Sequence, residues 1–208
     1  FCLLTATIMS QGQQPSHYFL GQDELSGLDV YDLHQDSDLH YWIATNNGLY
    51  KFDGYDFIEV SSEEMTNTSV FHFVEDYEGG LYCFNLNGQI FRLEGDSCII
   101  HYEVPDSLKS SYFSYEFDNQ NKLTLATIAL FQVDENKNIE MIDRPDGGSY
   151  SAMYRKKDGT LVFYTTADRK MCELRDGEII KKEIDHGLIL EHGYPVFSYF
   201  QDKEVAYS

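Results

Sequence analysis

Basic residues are scarce in this sequence: 15 Lys and Arg stand against 35 Asp and Glu, a formal net charge of −20 over 208 residues. Nucleic-acid binders gather positive charge to displace counterions from phosphates, and a field this negative repels polyanions and anionic lipid surfaces alike. The densest basic run, Arg155-Lys156-Lys157, merely precedes an Asp-Gly turn. Cysteine is also rare, with Cys2, Cys83, Cys98 and Cys172 only, and neither a CxxC nor a zinc-like His-Cys spacing. No apolar run approaches the ~20 residues that cross a bilayer. No segment keeps a 3.6-residue apolar period through three turns, which argues against a helical architecture. What is abundant is aromatic: 16 Tyr and 14 Phe within a 42% hydrophobic composition, too much apolar material for a disordered chain.

The first residues differ from the rest. Phe1 to Met9 is apolar and uncharged, and Ser10-Gln11-Gly12 places small residues where a signal peptidase cuts. Residues 1–12 are therefore expected to be the remnant of a secretory signal, and 13–208 the exported part, with any membrane anchor lying past Ser208. Loss of the signal leaves an odd set of three cysteines. Cys83 and Cys98 sit in apolar runs, where a thiol behaves as a small hydrophobe; their spacing does not say whether they pair.

The chain repeats itself. Val30-Tyr31-Asp32-Leu33-His34-Gln35-Asp36 returns as Val70 to Asp76, Tyr112 to Asp118 and Val196 to Asp202, with a fainter copy from Tyr150 to Lys156. Each of the first four units continues with three short apolar runs, which in the first unit are Tyr41–Thr45, Leu49–Phe52 and Phe57–Val60, and the fifth with the stub Val205-Ala206-Tyr207 alone. The runs are rich in aromatic and β-branched residues and are bounded by Gly, Asn and Asp, as strands are. Asn47-Gly48, Asn87-Gly88, Asp158-Gly159 and Asp176-Gly177 are hairpin dipeptides. Four strands every ~40 residues predict propeller blades, at about 24–60, 64–102, 108–142, 148–182 and an incomplete 190–208. A β-sandwich is the competing all-β reading, but it does not require successive units to resemble one another. The expected fold is an all-β propeller seen incompletely, since four and a half blades do not close a ring comfortably.

Gly27 to Asp36, followed by Tyr41-Trp42-Ile43-Ala44-Thr45 and Gly48-Leu49-Tyr50-Lys51-Phe52-Asp53-Gly54, closely resembles the two-component regulator propeller repeat. The resemblance is strong over 27–54, recognisable over 68–95, degraded over 112–134, and reduced to spacing from 150 onward. It implies a ligand-sensing head held in the periplasm by an inner-membrane protein. A downstream transmembrane helix and histidine kinase of the same chain would receive the signal. The implied ligand is a small molecule or glycan fragment, and a homodimer is compatible with the architecture. Two other classes stay open: an envelope propeller that only docks proteins, and a propeller-type hydrolase or lyase.

The sequence offers no catalytic, cofactor-binding or metal-ligating residue. Asp36, Asp76, Asp118 and Asp202 invite a calcium reading, but neither the Gly nor the Glu of a calcium loop arrives in register. A carboxylate at a strand end is better explained as the cap of the following turn. Trp42 offers a face for a sugar ring, yet a repeat position in a strand favours packing between blades. The seven histidines are scattered, with no nucleophile elbow near them.

Overall fold

The computed structural model describes residue 21, residues 23–110, 113–175 and 177–182, and the backbone of 196–200 and 203–207. The expected signal remnant and Asp202 lie outside the described residues. Four antiparallel sheets follow one another, each with its strands in sequence order. Blade 1 holds β1 (Val30–Gln35), β2 (Tyr41–Thr45), β3 (Gly48–Phe52) and β4 (Phe57–Val60). Blade 2 holds β5 (Val70–Glu75), β6 (Leu81–Asn85), β7 (Gln89–Glu94) and β8 (Ser97–Glu103). Blade 3 holds β9 (Ser114–Phe117), β10 (Leu123–Ala126), β11 (Leu130–Val133) and β12 (Ile139–Asp143). Blade 4 holds β13 (Tyr150–Arg155), β14 (Leu161–Thr165), β15 (Lys170–Arg175) and β16 (Glu178–Lys182), and a hairpin of β17 (Val196–Phe200) and β18 (Lys203–Tyr207) follows.

The blades pack face against face, and that geometry is written into the strands. Successive side chains of a strand point to opposite faces. On β6, Leu81 and Cys83 therefore enter a core shared with Trp42, Ala44 and Leu49 of blade 1. Tyr82, between them, enters the next core with Tyr115, Phe117, Leu123 and Phe131 of blade 3. A third core joins Ala126 and Leu130 of blade 3 to Tyr150, Leu161 and Phe163 of blade 4. Middle strands are covered on both faces, which is why β10 and β14 are buried along their whole length and read as mostly apolar runs, whereas β12 is largely exposed at the edge. A sandwich has one core between two sheets; here blades 2 and 3 each have a core on either side.

The first strands form a row. β1 packs against β5, β5 against β9, β9 against β13, and β13 against β17, so this row is the inner wall around which the blades radiate. Among the described residues no strand pairing closes the ring. The hairpin between β6 and β7 shows why its glycine is needed. Gly88 has φ +79°, and a Cβ there would come within 3.3 Å of Val104 Cβ and 3.0 Å of Lys109 Cε.

Candidate functional site

The inner row carries the irregular backbone. β5 and β13 each gain one residue relative to their partner strands, between Phe71 and Val74 and between Ser151 and Tyr154, and β1 does so at Tyr31. His72 and Ala152 consequently sit at φ +50° and +53°, a left-handed conformation uncommon for residues with a side chain. A bulge withdraws an N–H from its ladder, and the preceding blade takes it up. The Phe73 N–H donates to Asp32 Oδ2 at 2.8 Å, and the Met153 N–H donates to Ser114 Oγ at 2.9 Å. The Tyr115 hydroxyl donates to the His72 carbonyl at 3.2 Å. Third places of the heptads thus form a polar belt of Asp32, His72 and Ser114. His72 Nδ1 lies 3.9 Å from Asp32 Oδ2, while its Nε2 is covered and without a hydrogen-bond partner. Burial pulls the imidazole pKa down, against the pull of the Asp32 charge.

Above this belt runs a chain of rings contributed by three blades. Tyr31 stacks on Phe71 with centroids 4.5 Å apart and planes 12° from parallel, Phe71 meets Phe84 at 5.6 Å, and Phe84 meets Phe113 at 4.4 Å. Tyr31 is 46% exposed, and the other three are half-buried. Aromatic rings that are rigid, partly wet and aligned offer flat apolar contact at small entropic cost.

Below the belt, Arg155 ties three blades together. Its guanidinium donates to the carbonyl oxygens of Phe117 and Glu75 and stands 4.6 Å over the Tyr77 ring. Its Nε lies 3.9 Å from Glu116 Oε2, an oxygen that accepts no hydrogen bond. Burial raises the Glu116 carboxyl to about 7, with the nearby Arg155 charge opposing the rise.

The residues singled out by sequence fall where a packing role requires. Trp42 is 4% exposed and donates its indole N–H to Asp36 Oδ2 at 2.8 Å, with the Lys51 ammonium 5.5 Å from its ring centre. Asp36 Oδ1 accepts the Asp38 and His40 N–H groups, at 3.0 and 2.9 Å. Asp76 Oδ1 accepts those of Glu78 and Gly80, at 2.9 and 2.7 Å, and Asp118 Oδ1 those of Gln120 and Lys122, both at 2.9 Å. These are turn caps, and among the described residues no group of three or more His, Cys, Asp or Glu side chains is placed to hold a metal ion. Cys83, Cys98 and Cys172 are buried free thiols, and burial raises the pKa of each. Sequence reasoning did not single out the ring chain. Its signal was the second heptad place, which reads Tyr31, Phe71 and Phe113 in three copies.

No family model matches the chain, and no curated protein matches it in sequence. Solved structures do match, and they define the class: the fold is a β-propeller. Virginiamycin B lyase from Staphylococcus aureus, solved with quinupristin, superposes with a TM-score of 0.63 at 21% identity, over 77% of this chain and 57% of the lyase. The extracellular domain assigned to a hybrid two-component system of B. thetaiotaomicron superposes with a TM-score of 0.63 at 19% identity, over 81% of this chain and 27% of that one. A protein assigned as a gluconolactonase gives 0.55 at 10% identity, over 82% and 71%. The chain therefore spans little more than half the length of the lyase. Enzymes and a sensor domain share this fold, so the fold does not choose between them.

Proposed function

We propose that this chain is part of an extracytoplasmic, ligand-sensing propeller of a two-component sensor histidine kinase. In this reading the head lies in the periplasm and binds a small glycan-derived cue. The observation that carries the reading is the ring chain Tyr31–Phe71–Phe84–Phe113 above the Asp32–His72 belt. Sugar rings have apolar faces that stack on such aromatics, and hydroxyls that need donors and acceptors beside them. The likeness to a hybrid two-component extracellular domain supports the same reading. The ligand switches the output only through its differential affinity for two states of the receptor. Bulged inner strands, held by hydrogen bonds from the neighbouring blade, supply joints at which one blade can shift against the next.

The test uses the complete receptor encoded by the gene, with a transcriptional reporter and a panel of oligosaccharides. An activating sugar is expected, and Tyr31→Ala should raise the concentration needed for half-response about tenfold, the loss of one stacking partner. A response untouched by both Tyr31→Ala and Phe71→Ala would remove the ring chain from the site. A gene product lacking a ~20-residue apolar span and a kinase would remove the sensor role and favour a docking platform. Breakdown of the sugar by the purified chain would favour the hydrolase or lyase reading.

A further inference from the structure

At the opposite ends of the first strands from the ring chain, the faces of blades 2 and 3 diverge into a cleft of about 530 Å³, within the ~300–1,000 Å³ typical of small-molecule sites. Its floor is the partly exposed His101 ring, backed by the buried rings of Tyr82 and Phe117. The His101 ring, on β8, stands edge-on to Tyr82 of β6 with centroids 4.9 Å apart, and lies 6.3 Å from Phe117 of β9. Its rim includes Arg92 from β7 and Lys137 from the turn between β11 and β12.

Several of the lining groups are already engaged, Lys122 among them, whose ammonium donates to Glu140 Oε2 at 3.4 Å. Asp76 gives one oxygen to its turn and the other to the Tyr82 hydroxyl, at 2.9 Å. Asp134 gives Oδ1 to the Asn136 and Asn138 N–H groups and Oδ2 to the Asn138 amide, at 2.8 to 2.9 Å. Glu78 and Glu135 stand on the exposed outer rim. By contrast, the His101 imidazole makes no hydrogen bond to any described residue, and the Arg92 side chain has only an open contact with Glu94 at 3.8 Å. Burial first, then the charges of Lys137 and Arg92, lower the His101 pKa to about 4, with Asp76 opposing. In a chain of net charge −20, Arg92 and Lys137 line the same cleft as an imidazole whose ring nitrogens are unspent.

The geometry points to a second binding site in this cleft, for a small carboxylate carried on a ring. The ring lies against the His101 ring, which Tyr82 and Phe117 back from the core, and the carboxylate turns toward Arg92, Lys137 and the His101 N–H. Carboxylate recognition by cations and a ring N–H uses charge-assisted bonds, which are the strong ones. The apolar face of the ring takes the place of water over the aromatic floor. An acidic sugar and an aromatic acid share this chemistry. The site is separate from the ring chain and does not depend on the sensing reading.

The probes are glucuronate and benzoate, each beside its neutral counterpart, methyl glucoside and benzamide, added to the purified chain carrying 15N-labelled histidine. At least one acid should move the His101 ring signals saturably in the millimolar range and raise the pKa of His101, because a bound anion favours the imidazolium. Arg92→Gln and Lys137→Gln should each weaken binding about three- to tenfold, with the signals of His34 and His40 unchanged as a check on the fold. A response to glucuronate alone names an acidic sugar, and a response to benzoate alone an aromatic acid. Silence from His101 with both acids, equal shifts with the neutral counterparts, or unchanged affinity in both variants would overturn the site.

Discussion

Replacing Asp76 by Ala tests whether the cap at the end of each first strand holds the blade together or merely decorates a turn. Asp76 is 8% exposed and its carboxylate accepts three hydrogen bonds, from the Glu78 and Gly80 N–H groups and from the hydroxyl of Tyr82, itself 4% exposed. The two N–H groups sit at an exposed turn where water replaces the lost acceptor, so their loss costs about 1 kcal/mol each. The phenol is in the core between blades 2 and 3, and orphaning it adds about 1–3 kcal/mol. Asp76→Ala should therefore destabilise by about 3–5 kcal/mol, with the buried hydroxyl accounting for about 1–3 kcal/mol of it. Tyr82→Phe added to Asp76→Ala removes the orphan, and the pair should show a coupling of about 1–2 kcal/mol in a double-mutant cycle. Asp76→Asn keeps an acceptor for the turn and a polar atom facing the phenol, and should retain most of the stability. Gly80 belongs to the same device, since a Cβ there would stand 2.7 Å from Asp76 Oδ2. Urea unfolding followed by intrinsic fluorescence measures the wild type, Asp76→Ala, Tyr82→Phe, the double variant and Asp76→Asn. A loss under about 0.5 kcal/mol for Asp76→Ala, or strict additivity with Tyr82→Phe, refutes the reasoning.

Two further predictions concern the inner wall. Burial holds Glu116 at about 7 rather than its usual 4.5, so the folded state binds more protons than the unfolded state between those values, and stability should fall as pH rises through that window. Glu116→Gln should flatten the fall by on the order of 3 kcal/mol, measured as urea midpoints across the window; an unchanged slope counts against a buried titrating carboxyl. Arg155→Met keeps a long apolar stem but loses the bonds to the Phe117 and Glu75 carbonyls. It should cost about 2–3 kcal/mol and push the Glu116 titration higher, because the one opposing cation is gone; a Glu116 carbon-13 titration that does not move denies the coupling.

Much of the fold was legible because a blade is a local object. The four strands of each unit are joined by short turns, and the turn residues announce themselves: Gly48, Gly88 and Gly159 take φ +117°, +79° and +84°. The terminal heptad aspartates at 36, 76 and 118 were legible as caps for the same reason, their partners lying two to six residues away or, for Gln132, within the same blade. What escaped was set between blades. The positive φ of His72 and Ala152 has no glycine to signal it. It is stabilised from outside, by Asp32 and Ser114, which stand 41 and 39 residues before the N–H groups they bind. The cleft between blades 2 and 3 draws on residues from Asp76 to Lys137, and no reading of one unit brings His101 next to Phe117.

The fading of the repeat motif along the chain has a structural explanation in one corner of each blade. Three places meet there: the last residue of the heptad, the second residue of the second strand, and its cross-strand partner on the third. Blade 1 fills them with Asp36, Trp42 and Lys51, and blade 2 with Asp76, Tyr82 and Arg92; in both, the second strand donates to the carboxylate. In blade 3 the second place is Thr124, too short to reach Asp118. The third place takes over, and Gln132 Nε2 donates to Asp118 Oδ2 at 2.8 Å and to Thr124 Oγ1 at 3.0 Å. In blade 4 the second place is Val162 and donates nothing, and the outer two exchange sign: Lys156 occupies the heptad end and pairs with Glu173 on the third strand at 2.8 Å. Glu173 is 1% exposed and is also paired with Arg175 at 2.7 Å, as a buried carboxylate must be. Tyr82 replaces Trp42 as a donor in kind, and in blades 3 and 4 the loss of that donor is met by a change at a neighbouring place. What the four blades share at this corner is thus closed polar pairing rather than residue identity. Trp gives way to Tyr, Thr and Val while the strands and their register persist, and the sequence likeness to the repeat disappears well before the blade does.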